Sequence, residues 1–197
     1  MKRTRRKSKP AERLGPQAWV AAARTALIEG GIARVKVAPL AQKLGVTTGS
    51  FYWHFEDLPA LHAAMLTDWE STNTEPMFAA VAGNSTSAHT QLQALVDLWV
   101  SESGYSPRWD AAVRDWARVS KEVESSVRRV DDRRLELLHT IFKRAGYAEP
   151  EALVRARITY FHQVGYYALH IVERLSDRLR LKPLYIKALL GPEKTSD

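Results

Sequence analysis

The stretch from Arg34 to Leu58 constrains the fold most, because it encodes two short helices around a tight turn. An apolar stripe with helical spacing ends just before a glycine, and its members are Val37, Leu40, Ala41 and Leu44. Gly45 suits the left-handed residue that closes a helix. Thr47 suits the N-cap of the next helix, where its hydroxyl can accept a hydrogen bond from a free backbone N–H. This pattern predicts a helix-turn-helix.

The second of these helices is predicted to face inward with two aromatic residues and outward with polar ones. Phe51 and Phe55 lie four residues apart and so share one face. A helix that enters the major groove of DNA needs small or hydrogen-bonding residues at its N-terminal end, and this helix has Thr48, Gly49 and Ser50 there. We expect those three residues to read base edges. The expected contacts to the DNA backbone come from Lys36, Thr47, Tyr52, Trp53 and His54. The alternative is that Phe51 to Phe55 only form the core of a small helical domain.

These residues resemble the TetR family of ligand-responsive repressors. The family signature is a helix, Gly-Val-Ser/Thr, two or three variable residues, an aliphatic or aromatic residue, Tyr, two variable residues and Phe. Here it stands as Gly45-Val46-Thr47 and Phe51-Tyr52-Trp53-His54-Phe55, and the resemblance covers roughly residues 16 to 69. Two positions depart from the family: Lys36 stands where Ser or Thr is usual, and Leu58 stands where a phosphate-binding Lys is usual. One backbone contact is therefore expected to be missing or supplied from elsewhere.

Charge is distributed unevenly along the chain. Residues 1 to 56 contain 11 Lys and Arg against 3 Glu, whereas residues 57 to 197 contain 18 against 19 acidic residues. A polyanion such as duplex DNA is the expected partner of the first part. Six basic residues in positions 2 to 9 predict a flexible arm that lies along phosphates or enters a minor groove, and the alternative is a solvated tail or a cloning remnant. The predicted domains are an arm (1–15), a DNA-binding domain (16–57) and a ligand-binding and dimerisation domain (58–197).

Several classes of protein are disfavoured by composition. The chain has no cysteine, which excludes disulfides and thiolate sites and fits a reducing cytoplasm. Charged residues interrupt the apolar residues near the N-terminus, so we expect neither a signal peptide nor a membrane anchor. The six histidines are scattered and form no metal-binding or nucleophile pattern. We therefore expect no metal, no cofactor and no enzymatic activity.

The rest of the chain is predicted to be helical, which gives an all-α fold of about nine helices with a further short helix within residues 71 to 90. The predicted sixth helix, 109–119, carries Asp110, Arg114, Asp115 and Arg118 either outward or into a polar network. Aromatic and neutral polar residues of the body predict a small-molecule cavity, although any one of them can equally be core. The predicted ligand-binding residues are Trp69, Trp99, Trp109, Trp116, Phe142, Tyr160, Gln163 and Tyr167.

The eighth predicted helix, 158–172, contains no Asp, Glu, Lys or Arg, and a helix without a charged face is expected to be buried all round. It is too short to span a membrane. Together with a final helix, 183–190, it predicts a homodimer interface formed by Phe161, Gly165, Ala168, Val172, Leu184 and Ala188. The alternative is a monomer that uses both faces for its own core.

The combined prediction is a homodimeric DNA-binding transcriptional regulator in the cytoplasm, most simply a repressor that a small apolar or aromatic effector releases from its operator. One alternative is a DNA-binding protein with a purely structural dimerisation body, and another is an enzyme.

Overall fold

A computed structural model describes residues 14–83, 87–169 and 171–191, and every regular element in those residues is helical. The ten α-helices are α1 (Pro16–Gly30), α2 (Val37–Leu44), α3 (Thr48–Phe51), α4 (Leu58–Asn73), α5 (Glu75–Ala80), α6 (Ala88–Ser101), α7 (Pro107–Ala117), α8 (Lys121–Arg144), α9 (Glu151–Ala168) and α10 (Leu175–Leu190). A short 3-10 helix follows α1. The predicted all-α fold is confirmed, and α5 is the short helix expected within residues 71 to 90.

The chain divides into two compact units, Met1–Met65 and Leu66–Asp197, and α4 runs through the division. The predicted domain boundary, between residues 57 and 58, lies at the start of α4 and therefore before the division between the two units. Asp57 caps this helix, because its Oδ1 accepts a hydrogen bond from the N–H of Ala60 at 2.8 Å.

Unit 1 has an aromatic core. Trp19 of α1 and Phe51 of α3 are both fully buried, and their ring centroids lie 5.2 Å apart in an edge-to-face arrangement. Leu40 and Ala41 of α2 are buried as their place in the predicted stripe requires. These contacts fix the short α3 against two longer helices.

Unit 2 is built around α8, which packs against α6, α7 and α9. Its buried apolar side chains form one stripe along the helix and include Val123, Val130, Leu138 and Phe142. Ser120 caps the helix through its hydroxyl, which accepts from the N–H of Val123. The body is thus a helical bundle with one long central member.

The last two helices differ from their predicted bounds. The helix predicted at 158–172 begins earlier, at Glu151, and ends at Ala168, because a charged first part with a Glu151–Arg155 ion pair precedes the uncharged run. Pro183 suits a first helical position, which is why a start is predicted there, yet α10 begins at Leu175. The helix continues through Pro183 although this residue cannot donate a hydrogen bond to the preceding turn.

Candidate DNA interface and ligand pocket

The turn between α2 and α3 has the geometry that its sequence predicts. Gly45 is left-handed, with φ 68° and ψ 29°. Its N–H donates to the carbonyl of Gln42 at 3.1 Å, and the N–H of Val46 donates to the carbonyl of Ala41 at 3.0 Å. These bonds close α2 and redirect the chain into α3, which confirms the predicted helix-turn-helix.

The α3 helix is short, but its last turn continues as a hydrogen-bonded turn. The N–H of Phe55 donates to the carbonyl of Phe51 at 3.0 Å, so both rings still face inward as predicted. Their centroids lie 5.4 Å apart in a stacked arrangement, and both residues are buried. Thr47 occupies the N-cap position with extended backbone, but its hydroxyl makes no capping hydrogen bond. The predicted N-cap position is confirmed, but the predicted hydrogen bond of its hydroxyl is wrong, because the carbonyl of Thr47 accepts from the N–H of Ser50 instead.

The predicted DNA-contacting residues all lie on accessible surface of unit 1. Trp53 is 86% exposed and Tyr52 is 62% exposed, far more than aromatic side chains of a core. Lys36 is also exposed. A shallow concave surface beside α3 is lined by Leu14, Thr47, Gly49, Ser50, Trp53 and His54. Thr48 is exposed beside them.

The backbone conformation at Gly49 does not require a glycine. Its φ is not positive, and a Cβ built there would meet only the Thr47 hydroxyl, at 3.7 Å, which is an ordinary contact. The absence of a side chain at Gly49 therefore leaves the outer surface of α3 open at this position, although the backbone conformation does not require it.

Residues 1–13 of the predicted basic arm, which was expected to span residues 1–15, lie outside the described residues.

A buried polar network crosses unit 2. Asp110 of α7 accepts a hydrogen bond from the indole N–H of Trp69 at 3.1 Å, from Nε of Arg114 at 2.8 Å and from Arg134 at 3.0 Å. Arg114 also donates two hydrogen bonds, of 2.9 and 2.7 Å, to the carboxylate of Asp131 on α8. Of the two arrangements predicted for α7, Asp110 and Arg114 thus adopt the polar network. Asp115 and Arg118 form an exposed pair instead.

The network also reaches the end of α4 and the middle of α9. Arg134 donates to the hydroxyl of Thr74 at 2.8 Å and to the carbonyl of Asn73 at 3.2 Å. The phenol of Tyr160 donates to Asp131 at 2.6 Å and accepts from Arg114 at 3.0 Å. Four parts of unit 2 are therefore joined by charge-assisted hydrogen bonds.

The charges of this network are set by burial and by mutual pairing. Burial alone would raise the pKa of Asp110, but Arg134 and Arg114 outweigh it and hold that pKa below its usual value. Burial raises the pKa of Tyr160 to about 12, so its phenol keeps its proton. The network consequently stays ionised at Asp110 and neutral at Tyr160 around neutral pH.

A pocket between α6, α9 and α10 has a cavity volume of about 70 Å³ and is partly open to solvent. The pocket is lined by Val96, Trp99, Val100, Thr159, His162, Gln163, Tyr166, Glu173, Arg178, Lys182, Tyr185 and Leu189. The rings of His162 and Tyr185 approach to 5.0 Å between centroids. Aromatic and aliphatic walls with a few polar groups are typical of small-molecule sites.

The predicted ligand-binding residues are not gathered in one place. Trp99 and Gln163 line the pocket, and Tyr167 lies beside it with its hydroxyl 3.0 Å from the carbonyl of Trp99. Trp69 and Tyr160 belong to the polar network. The remaining three, Trp109, Trp116 and Phe142, are buried side chains. Their role in binding stays a prediction.

Two sets of residues were missed by the sequence reasoning. Arg134 is 1% exposed, and it lies four residues after Val130 and four before Leu138, within the apolar stripe of α8. A charged residue at a position of the apolar stripe is a sequence signal for a buried ion pair. The pocket residues Arg178 and Lys182 of α10 gave no signal, because the helix predicted from Pro183 onward excludes them.

The predicted dimer residues are exposed in the single chain. Phe161 is 58% exposed, and Val172, which lies after the end of α9, is 96% exposed. Leu184, Ala188 and Ala168 are exposed as well, and Gly165 is half-buried. The expectation that this helix is buried all round is therefore wrong for one chain, because its outer side carries no covering helix among the described residues.

Within the residues that the structure describes, no helix is long and apolar enough to cross a membrane. The same residues contain no cluster of three or more acidic, His or Cys side chains that could hold a metal ion.

Known proteins share this architecture of a helix-turn-helix followed by a helical body. Residues 20–65 match the family model described as bacterial regulatory proteins, tetR family. A search of curated protein sequences found no match. Among solved structures, reduced NemR from E. coli superposes with a TM-score of 0.72 at 15% identity and covers 92% of this chain and 99% of its own. A TetR-family transcriptional regulator from Agrobacterium tumefaciens gives 0.71 at 17% identity, with 91% and 98% covered. The fatty acid degradation regulator FadR from Bacillus halodurans gives 0.67 at 16% identity, with 93% and 97% covered.

The fold and the exposed helix-turn-helix define a DNA-binding transcriptional regulator. Residues 20–65 carry the N-terminal domain that is typical of the tetR family of bacterial regulatory proteins.

Proposed function

We propose that this regulator is a homodimeric repressor that binds a two-fold symmetric operator and is released from it by a small apolar or aromatic effector. The observation that carries the DNA-binding part is the accessible surface of α3. Thr48, Gly49 and Ser50 offer small groups to base edges, and the exposed Tyr52 and Trp53 extend beside them toward the DNA backbone. Lys36, Thr47 and His54 complete the proposed backbone contacts.

The exposed apolar side of α9 supports the homodimer. Val154, Ile158 and Phe161 follow helical spacing, and each is about half exposed in the single chain. The exposed Arg157 borders this stripe, and Gly165 continues it with open space around its α-carbon. Burial of such a surface against a second copy removes an apolar patch that would otherwise face water. A dimer also supplies two recognition helices for half-sites about 34 to 36 Å apart.

The polar network supports a route for effector action. α9 carries pocket residues such as Gln163, and three residues earlier it carries Tyr160, which binds Asp131 and Arg114. The network in turn holds Thr74 and the indole of Trp69, near the C-terminal end of α4. Because α4 begins in unit 1, we propose that a ligand-dependent shift of α9 is transmitted along this helix. A coupling of about 1 to 3 kcal/mol is typical, and it must be reciprocal between ligand and DNA.

Two linked measurements test this function. Selection of duplexes from a random pool with the full chain should enrich a sequence with two-fold symmetry. A small-molecule screen by tryptophan fluorescence and thermal stabilisation should then give ligands that weaken binding to that operator, and the operator should weaken ligand binding by the same factor. Tight ligands that leave operator affinity unchanged would favour a purely structural body. An enriched sequence without symmetry would contradict the dimer.

A further inference from the structure

Gln163 is the polar residue of the pocket wall whose hydrogen bonding is incomplete. Its side chain is only 8% exposed, and its Nε2 has no hydrogen-bond partner among the described residues. A buried amide donor without a partner is costly, by about 1 to 3 kcal/mol. An oxygen of a bound molecule would supply the missing acceptor.

The guanidinium and the ammonium of the pocket wall are already paired. The guanidinium of Arg178 binds Glu102 at 2.9 Å and the carbonyl of Trp99 at 2.9 Å. The ammonium of Lys182 lies 2.5 Å from Asp97. Each cation of the wall therefore has its own carboxylate on α6 or directly after it.

The remaining acid of the wall, Glu173, accepts a hydrogen bond from the phenol of Tyr166 at 2.9 Å. Because Arg178 and Lys182 are each matched by a carboxylate, an anionic ligand would gain attraction only by disrupting an existing pair. The wall therefore favours an uncharged ligand over an anionic one.

Flat rings surround the same space. Trp99 lies on one side, and His162, Tyr166 and Tyr185 form a continuous row in which His162 is 6.4 Å from Tyr166 and 5.0 Å from Tyr185 between ring centroids. Aromatic ligands stack on such rings with a gain beyond the area that they bury.

We infer that the pocket between α6, α9 and α10 binds an uncharged aromatic compound of one or two rings that bears a phenol or carbonyl oxygen, with that oxygen at Gln163. This inference rests on the proposed function in one respect only, which is that the compound bound in the pocket is the effector. A phenol suits either orientation of the amide, because its oxygen accepts from the Gln163 N–H and its O–H donates to the Gln163 oxygen.

Three matched probes test this inference: naphthalene, 1-naphthol and 1-naphthoate, measured by equilibrium dialysis against the full chain. The wild type should bind 1-naphthol about tenfold or more tightly than naphthalene and more tightly than the anion. Gln163→Leu should bring the ratio between naphthol and naphthalene close to one. The matched variant Gln93→Leu, at an exposed position of α6, should keep the wild-type ratio.

A second variant keeps the test independent of the buried position. Tyr185→Ala removes an exposed side chain from the pocket mouth and should weaken all three probes without loss of thermal stability. The inference is overturned if no probe binds the wild type, if 1-naphthoate binds more tightly than 1-naphthol, or if Gln163→Leu keeps the wild-type ratio.

Operator affinity is measured in parallel and separates the two claims. Binding of 1-naphthol that depends on Gln163, with operator affinity unchanged, supports the pocket and contradicts effector release. Release of the operator by 1-naphthol that is identical in the wild type and Gln163→Leu supports the proposed function and contradicts the pocket.

Discussion

In unit 1 the residues proposed to contact DNA follow one another from Thr47 to His54, with Lys36 close by, whereas the pocket of unit 2 draws its walls from three helices between Val96 and Leu189. The first surface depends on a turn, a buried aromatic pair and one short helix. The second depends on contacts between residues far apart in the chain. The DNA interface can therefore be read from a short sequence pattern, and the pocket can be read only from the folded bundle.

The two units also use charge differently. The basic excess of the chain lies before residue 57, where it suits phosphate binding. The charges of unit 2 nearly cancel, and several are buried in pairs around Asp110 and Arg134. Variants that affect one unit and spare the other are consequently the sharpest probes of this difference.

The largest effect is expected from Arg134→Ala in unit 2. This change leaves the buried Asp110 with one fewer cation and removes the bonds to Thr74, so the free energy of unfolding should fall by about 3 to 5 kcal/mol. Urea unfolding followed by tryptophan fluorescence measures the loss. Arg128→Ala is the matched control on the same helix, because its pair with Glu124 is exposed and should contribute less than about 1 kcal/mol. Equal losses for both variants would contradict a structural role for the network.

The next largest effect is expected on the dimer. In the single chain a Cβ at Gly165 meets no atom within 4 Å, so Gly165→Arg should leave the fold of the single chain intact. In a packed interface the same side chain brings an unpaired charge that costs several kcal/mol, about three to five by analogy with broken buried pairs. Sedimentation should therefore show a dimer for the wild type and a monomer for the variant, while Gln93→Arg remains dimeric. A wild-type protein that is monomeric at micromolar concentration would contradict the proposed interface.

A smaller and more selective effect is expected in unit 1. Gly49→Ala adds a Cβ that makes only an ordinary contact of 3.7 Å with the Thr47 hydroxyl, so thermal stability should stay the same or rise slightly, by up to about 1 kcal/mol from helix propensity. The added methyl occupies the surface that approaches the bases, so operator affinity should fall by about tenfold, or 1.4 kcal/mol. Thermal melting and a DNA titration of the same sample measure the two quantities. Unchanged operator affinity would mean that the surface of α3 at Gly49 does not contact DNA.

The sequence predictions were accurate where the structure depends on residues close together in the chain, and less accurate where it depends on residues far apart. Gly45, Phe51 and Phe55 were predicted correctly because helix capping and four-residue spacing act within one or two turns. The all-α fold followed from periodicity. The start of α10 was missed because a proline suits a first helical position, although here it lies inside the helix.

The polar network was only partly foreseen. Asp110 and Arg114 lie four residues apart on α7, so their pairing could be anticipated from sequence. Their partners Arg134 and Tyr160 come from other helices, and no local rule connects residues 24 or more positions apart. The exposed apolar side of α9 likewise needed the folded chain, since the sequence alone predicts burial on every side.

The central claim is that α3 reads DNA sequence, and a comparison of two variants on two duplexes tests it most directly. Affinities of Thr48→Ala and Tyr52→Ala are measured on the selected operator and on a random duplex of equal length and at the same salt concentration. Tyr52→Ala should weaken binding to both duplexes by a similar factor, because it removes a backbone contact. Thr48→Ala should lower the ratio of operator to random affinity and change the preferred base, by about 1 to 3 kcal/mol of discrimination. Equal losses on both duplexes for both variants would contradict sequence reading by α3.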